Sequence, residues 1–435
     1  MEPVVVGIVG IVCLLILLVM GIPIAFALSA VGAIGMIIVA GLPATLSQIS
    51  LIAWGRGTDF VFVCIPMFIF MGQIVYHTGI ASDLYEVLQK WLGRLPGGLA
   101  IASVGACGGF GAVTGSSVAC VATMGSIIMP EMQKYKYNDR LAAGVLASSG
   151  TLGILVPPSL GFVFYGILTD TSIAALFIAG IIPAIITVFI FSAIIYIRCV
   201  ANPALAPKGP RYSWKERIVS MRKVWPVVAI FLIVIGGLYG GFFTPTEASG
   251  VGAVGVVLVS LVQRKLNWQR FKLALDDTGV ISSMIFLIVI GGYLIARFLA
   301  VTDITTYLVD GVAALDPNRY FLIFLIFILY FILGCMMELF GMAVLTLPFL
   351  FPIVVQLGFD PIWFGVFVMV MAEIALITPP IGMNVFVMRS IASHVPMESI
   401  FIGIVPFLLA EILLLVLLVI FPEVAIWLPR IAGLM

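Results

Sequence analysis

The feature that most constrains this chain is a succession of long apolar stretches separated by short charged segments. Hydrophobic residues make up 63% of the 435 residues, and charged residues only 9%. Soluble domains carry about 25% charged residues, so this chain lacks the polar surface that folding in water requires. The stretches are 3–20, 22–41, 59–78, 97–130, 141–169, 173–197, 224–242, 246–263, 279–299, 319–352, 361–388 and 398–421. Because about 20 apolar residues cross a bilayer as a helix, we predict an all-α polytopic membrane protein.

Charge and motif content exclude several classes of function. The 21 basic and 20 acidic residues leave a net charge of +1, which gives no electrostatic basis for binding nucleic acid. The chain has no Gly-Lys dipeptide and therefore no Walker A loop. It also lacks the Gly-x-Ser-x-Gly and His-Glu-x-x-His motifs, and its two histidines have no metal-binding companions at ligand spacing. We therefore expect no enzyme activity, no transition metal and no cofactor.

The distribution of charge predicts a topology. Basic residues concentrate in segments 131–140, 198–223 and 264–277, which the positive-inside rule places in the cytoplasm. The 42–58 connection, the acidic segment 300–318 and both termini then fall outside. With this count, re-entrant helical hairpins fit stretches 97–130 and 319–352 better than single crossings do. We expect the first hairpin to enter from the cytoplasm and the second from outside.

Internal repeats relate the two halves of the chain. Residues 29–35 (SAVGAIG) match 249–255 (SGVGAVG) at an offset of 220 residues (249 − 29), and Pro157-Pro158 match Pro379-Pro380 at 222 (379 − 157). Residues 180–183 (GIIP) match 403–406 (GIVP) at 223 (403 − 180). With the charge pattern, these matches predict two inverted-topology repeats, which are typical of secondary transporters.

Two double-proline segments interrupt apolar stretches at corresponding positions, in residues 150–159 (GTLGILVPPS) and 375–384 (ALITPPIGMN). Proline lacks an N–H group, so carbonyl groups one turn earlier lose their helical partners. In a bilayer these carbonyls need protein, water or an ion. Oxygen ligands of this kind suit a hard cation, and we expect sodium.

The hairpin tips supply the remaining walls of a predicted substrate cavity. Helix N-termini at such tips suit a carboxylate substrate. Glu338, Glu373 and Arg389 flank the breaks of the second half, where an intramembrane charge indicates a binding role. For Asp170, Glu247 and Glu411 we expect interfacial, capping or pairing roles. The predicted cavity residues are Gly115, Pro158, Ser159, Glu338, Pro379, Pro380, Asn384 and Arg389.

These motifs, together with residues 236–248 (GGLYGGFFTPTEA), resemble the large membrane subunit of tripartite ATP-independent periplasmic (TRAP) transporters, which belong to the ion transporter superfamily. The resemblance implies an inner-membrane importer that uses sodium and moves by an elevator mechanism. It also implies a soluble periplasmic binding protein that delivers an organic acid, and a small four-helix membrane subunit, here expected as a separate chain. The implied sodium-binding residues are Ser116 or Ser117, Gly153, Val156, Pro157, Ala375 and Thr378.

The resemblance also implies a division of the chain into a fixed scaffold and a mobile transport part. The implied units are scaffold 1–58, a connecting helix and cytoplasmic amphipathic arm 59–96, transport part 97–200 with hairpin 97–130 and broken helix 141–169, a basic loop 201–223, scaffold 224–277, a connecting helix and periplasmic arm 278–318, and transport part 319–435 with hairpin 319–352 and broken helix 361–388.

Three other functions are weighed against this one. A channel needs no opposed pair of broken helices around a discrete site, and an intramembrane enzyme needs a catalytic motif that the sequence lacks. A stand-alone sodium- or proton-coupled carboxylate transporter fits the same motifs without a binding protein. The substrate itself is not readable, since dicarboxylates, keto acids and sugar acids such as sialic acid all suit the family.

Overall fold

The computed structural model describes residues 2–307, 318–334, 337–379 and 382–435, and its regular elements there are helices. The first half contains α1 (Pro3–Val19), α2 (Ile24–Ala40), α3 (Leu42–Gly57), α4 (Cys64–Thr78), α5 (Ile80–Leu92), α6 (Gly98–Thr114), α7 (Ser117–Lys134), α8 (Asp139–Ser149), α9 (Leu152–Leu155), α10 (Leu160–Thr169) and α11 (Ile173–Ala201). The second half contains α12 (Trp214–Tyr239), α13 (Pro245–Val262), α14 (Trp268–Val301), α15 (Arg319–Gly334), α16 (Leu339–Gln356), α17 (Pro361–Ile377), α18 (Met383–Ile391), α19 (Met397–Ile420) and α20 (Glu423–Ile431).

Many of these helices suit a bilayer in length and composition. Within the described ranges, seven are long and apolar enough to cross a membrane: Phe60–Thr78, α11, α12, α13, α14, α16 and α19. The segment Asp139–Leu155 and α10 qualify together but meet at an angle of 42°. The prediction of an all-α, multi-pass membrane protein is thereby confirmed.

The two stretches predicted as hairpins are each a pair of helices with a short interruption. Two residues, Gly115 and Ser116, separate α6 from α7. Gly115 has a φ of +60°, a left-handed conformation that favours glycine, and the Ser116 side chain caps α7 by accepting from the Ala119 N–H. Residues 335–338 separate α15 from α16, and of these the structure describes Met337 and Glu338.

The order of elements occurs twice. A hairpin, a broken helix and a long helix follow one another as α6–α7, α8–α10 and α11, and again as α15–α16, α17–α18 and α19. This order agrees with the offset of the sequence repeats. The opposite orientation of the two halves in the membrane stays a prediction.

Three helix boundaries differ from those predicted by hydropathy. Helix α12 begins at Trp214, inside the predicted 201–223 loop, and α14 begins at Trp268, inside the predicted 264–277 loop. The reason for the first is a capping box, in which Ser213 and Glu216 satisfy each other's backbone N–H groups. Helix α14 begins after Asn267, whose side chain caps it. In addition, the predicted 42–58 connection is itself a helix, α3. Polar capping residues set these starts, and hydropathy does not detect them.

The predicted transport segments form the most buried region of the molecule. Every residue of α17 from Ile362 to Ile377 is buried, and so is every residue of α8 from Leu141 to Ser149. Helix α19 packs on α8 and α17, while α2 packs on α14 and α13 packs on α4. The two interrupted helices therefore lie at the centre, where their breaks are covered by protein.

The predicted cytoplasmic arm corresponds to α5, which is tied to its neighbours by ion pairs. Asp83 contacts Lys265, and the Glu86 carboxylate lies 2.7 Å from Lys223 Nζ and 2.6 Å from Lys90 Nζ. Partial burial opposes ionisation of Glu86, but the hydrogen bonds from the two lysines outweigh it and lower its pKa. The predicted outer arm falls largely on residues 308–317, which lie outside the described residues.

Candidate transport site

The first hairpin tip lies directly against the first broken helix. A Cβ atom on Gly153 would lie 2.8 Å from the Ser116 carbonyl oxygen and 3.2 Å from the Ser117 nitrogen. A Cβ atom on Gly115 would lie 2.7 Å from the Leu160 nitrogen, beyond the break. The tip therefore touches the broken helix on both sides of the break. Ser116 and Gly153, predicted together as sodium ligands, are in contact.

The first break itself spans four residues of extended or proline-restricted backbone. Val156 ends α9 with φ −76° and ψ 120°, and the Pro157–Pro158 peptide bond is cis. Ser159 then caps α10, with its Oγ accepting from the Gly161 N–H at 3.2 Å. Val156, Pro157, Pro158 and Ser159 thus occupy the non-helical segment between α9 and α10, whereas Gly153 lies within α9. Pro158 and Ser159, predicted to line the cavity, are buried in protein.

Asn384 joins the two halves of the site. It is the second residue of α18, just after the second break, and its Nδ2 donates to Ser117 Oγ at 2.7 Å and to the Ala147 carbonyl at 3.2 Å. The side chain is fully buried. A residue predicted for the substrate cavity and one predicted for the sodium site therefore hydrogen-bond directly across 267 residues of sequence.

The second break resembles the first in its backbone. Thr378 ends α17 in an extended conformation, with its hydroxyl bonded to the Ile374 carbonyl, and Gly382 has a φ of +55°. Ala375 lies against Gly334 at the end of α15, so the second hairpin touches the second broken helix. Pro379 lies in the break, whereas Pro380 lies outside the described residues.

The second hairpin tip also reaches the first broken helix. Glu338 is half-buried at the N-terminus of α16, where its side chain does not cap the helix. The next two residues, Leu339 and Phe340, pack against Gly161 and Phe164 of α10. The first break is thus enclosed between the two tips.

Arg389, which was predicted to line the cavity, forms hydrogen bonds with the backbone. Its guanidinium donates to the carbonyl groups of Ala392 and Ser393, at the C-terminal end of its own helix α18. This is a common arrangement for a basic side chain in the last turn of a helix, since it complements the free carbonyl groups there. The structure assigns Arg389 a capping role.

Buried oxygen atoms around the first tip fit a cation. Ser148 Oγ, Ser149 Oγ and Asn384 Oδ1 are buried and have no hydrogen-bond partner among the residues that the structure describes. Ser148 and Ser149 were not among the residues predicted for the site. Their position, just before a glycine and a double proline, could have indicated them from the sequence. Hydroxyl, amide and carbonyl oxygens are ligands that suit a hard cation such as sodium. In the described ranges no group of three or more His, Cys, Asp or Glu side chains is arranged for a metal.

A cavity of about 660 Å³ opens beside the first break but has the wrong chemistry for a carboxylate. Val156 and Pro157 line it, together with apolar side chains of α4, α5, α6, α11 and α12. None of the lining residues is charged. This apolar cavity is therefore distinct from the predicted carboxylate site, whose polar residues lie at the tips.

Comparisons with known proteins agree with this architecture. The family model described as the tripartite ATP-independent periplasmic transporter, DctM component, matches residues 11–424. A C4-dicarboxylate TRAP transporter large permease protein of Pseudomonas aeruginosa is 34% identical over 392 residues, which cover 90% of this chain and 91% of the relative. An ectoine/5-hydroxyectoine TRAP transporter large permease protein of Ruegeria pomeroyi is also 34% identical, over 85% of this chain and 86% of the relative.

Among solved structures, the Alcanivorax borkumensis YdaH transporter has the same fold. Its TM-score is 0.64 at 11% identity, over 98% of this chain and all of that one. The helices and their interrupted segments thus define a polytopic membrane protein with this fold. The chain belongs to the TRAP transporter DctM family, the large permease subunits.

Proposed function

We propose that this chain is the transport subunit of a sodium-coupled importer of organic acids in the bacterial inner membrane. A soluble periplasmic binding protein delivers the substrate, and a small membrane subunit completes the permease. The transport part, 97–200 with 319–435, moves as an elevator against the scaffold helices.

One observation carries this proposal. Asn384, after the second break, bonds both to Ser117 at the first tip and to the Ala147 carbonyl before the first break. The first tip, α8 and the start of α18 therefore meet in one region, where Ser148 Oγ, Ser149 Oγ and Asn384 Oδ1 have no partner among the described residues. An enclosed site built from both halves suits alternating access, whereas a channel requires a continuous path.

The substrate class is a carboxylate. The two relatives named above are described as permeases for C4-dicarboxylates and for ectoines. Hairpin N-termini with free N–H groups favour a negatively charged group. The binding protein does much of the selection of the particular acid. The ligand of that binding protein is therefore the most informative single fact to establish.

Reconstitution tests the proposal. The chain is co-purified with the small subunit from the same operon and placed in proteoliposomes. The neighbouring binding protein is added with succinate, pyruvate or N-acetylneuraminate, chosen by which ligand raises its unfolding temperature. We expect saturable uptake that requires an inward sodium gradient and stops when potassium replaces sodium.

Leaving out the binding protein separates the proposal from its rival. Uptake of the free acid at the same rate without the binding protein indicates a stand-alone carboxylate transporter. Uptake that is indifferent to sodium contradicts sodium coupling. Flux that does not saturate with substrate indicates a channel.

A further inference from the structure

Two glutamates meet in the apolar centre of the molecule. Glu373 on α17 and Glu411 on α19 are both fully buried, with exposures of 0%. Both Glu373 oxygens and one Glu411 oxygen lack a hydrogen-bond partner in the part of the chain that the structure describes. No Lys, Arg or His in the same ranges forms an ion pair with either.

The residues around these acids supply too few protons. Thr151, between α8 and α9, has one hydroxyl proton, but its Oγ1 lies 2.6 Å from the Ser148 carbonyl and 2.8 Å from Glu411 Oε1. It can donate to only one of these acceptors. Glu373 interacts electrostatically with Glu411 across the packed helices α17 and α19, and it lies near the backbone of Leu155. The cluster is therefore rich in acceptors and poor in positive charge.

The position of the cluster is as specific as its chemistry. Thr151 and Leu155 lie on either side of Gly153, before the first break, and Glu373 lies two residues before Ala375, near the second break. Helix α17 packs against α9 and α19, and α19 packs against α8. Glu373 thus lies on the helix that ends at the second break, and Glu411 on α19 bonds to Thr151 just before the first break.

An isolated buried carboxylate is unfavourable in free energy, and a second carboxylate nearby makes it more so. Water molecules could satisfy the hydrogen bonds but would not neutralise the charges. We propose that Glu373 and Glu411, with Thr151 Oγ1, bind a sodium ion at a site separate from the two predicted at the breaks. This inference rests on the proposed sodium coupling. The site would make the packing of α8, α17 and α19 depend on sodium.

Thermal unfolding of the purified protein tests this directly, without substrate or partners. The unfolding temperature is measured against NaCl, with choline chloride holding the ionic strength constant. The variants are Glu373→Gln and Glu411→Gln, and the control is Glu423→Gln at an exposed ion pair with Arg430. We expect wild type and the control to be stabilised by sodium. In each buried variant, the sodium concentration for half-maximal stabilisation should rise at least tenfold, or one step of the sodium dependence should disappear.

The sodium-free sample distinguishes a cation site from a structural role. Removal of one negative charge relieves repulsion, so both buried variants should unfold at or above the wild-type temperature in choline. A lower unfolding temperature in every buffer, with an unchanged sodium midpoint, means that the acids are structural and overturns the proposal. If the glutamine variants do not fold, Thr151→Val should weaken the sodium effect and Thr151→Ser should retain it.

Three further outcomes are separable. If wild type itself shows no more stabilisation by sodium than by choline, the proposed sodium coupling fails together with this site. If wild type responds to sodium and both glutamine variants respond identically, only the present inference fails. In the third outcome, wild type without sodium loses stability between pH 6 and 9, while the variants keep the wild-type sodium midpoint. The glutamate pair then holds a proton and not sodium, which also overturns the proposal.

Discussion

At the scale of single residues, glycine at position 153 permits the contact on which the first site depends. Any larger residue would place its Cβ atom 2.8 Å from the Ser116 carbonyl oxygen and 3.0 Å from its carbon. These are backbone atoms of a capped hairpin tip, so they cannot rotate away as a flexible side chain does. The close approach brings the Ser116 carbonyl to the start of the first break.

Gly153→Val therefore tests whether this contact serves transport. Overpacking of a buried position costs about 1–3 kcal/mol, which a protein with a large core tolerates. We expect normal membrane insertion but loss of sodium-dependent uptake, measured in the proteoliposome assay. Gly279→Ala is the matched control, because nothing lies within 4 Å of a Cβ atom there. Full uptake by Gly153→Val would show that the tip contact does not matter for coupling.

At the scale of elements, the proposed elevator movement requires hairpin helix α16 to slide past scaffold helix α2. The two helices touch where Gly341 meets Ile24, with a Cβ atom on Gly341 lying 2.3 Å from Ile24 Cδ1. Within the scaffold, α12 and α13 make a similar contact, where a Cβ atom on Gly255 would lie 3.3 Å from Ile230 Cγ1. Both contacts join a glycine to an isoleucine, so they form a matched pair.

Cross-linking these two pairs tests the movement. Ile24→Cys with Gly341→Cys, and Ile230→Cys with Gly255→Cys, are built in a background without the six native cysteines. Each pair is joined by a short thiol-specific bifunctional reagent that can be cleaved by reduction. We expect the first cross-link to stop uptake and reduction to restore it, while the second leaves uptake unchanged. Uptake that persists with the first pair fully cross-linked is incompatible with an elevator movement at this contact.

At the scale of the whole molecule, orientation in the membrane follows from charge. In the predicted topology, the basic segment 198–223 lies in the cytoplasm and the acidic segment 300–318 lies outside. Lys208 and Asp303 are exposed residues in these segments, whereas Asp310 lies outside the described residues. In the predicted topology, the two exposed positions therefore lie on opposite sides of the membrane.

Labelling of single cysteines measures this orientation in intact cells. In the cysteine-free background, Lys208→Cys should resist a membrane-impermeant maleimide added outside, and Asp303→Cys should react. Permeabilisation should then expose Lys208→Cys, which controls for its intrinsic reactivity. The opposite pattern would overturn both the orientation and the inverted relation of the repeats.

The sequence by itself determined the class of protein, the family and the positions of the interrupted segments. These features depend on local backbone chemistry, so one sequence is enough to recognise them. They are the hydrophobic runs, the Gly-Ser pair at the first tip and the first double proline. The starts of α12 and α14 were missed, because caps such as Ser213 with Glu216 carry no hydropathic signal.

Only the tertiary structure decided which of these residues meet. Asn384 donates a hydrogen bond to Ser117, which is 267 residues away in the sequence. Glu411 accepts a hydrogen bond from Thr151, which is 260 residues away. Glu411 was predicted to cap, pair or lie at the interface, but Thr151 as its partner was not. The hydrogen bonds of Arg389 to carbonyl groups at the end of its own helix were also not predicted. Such contacts depend on how buried helices pack, and the energy of that packing is spread over many apolar side chains that no local motif records.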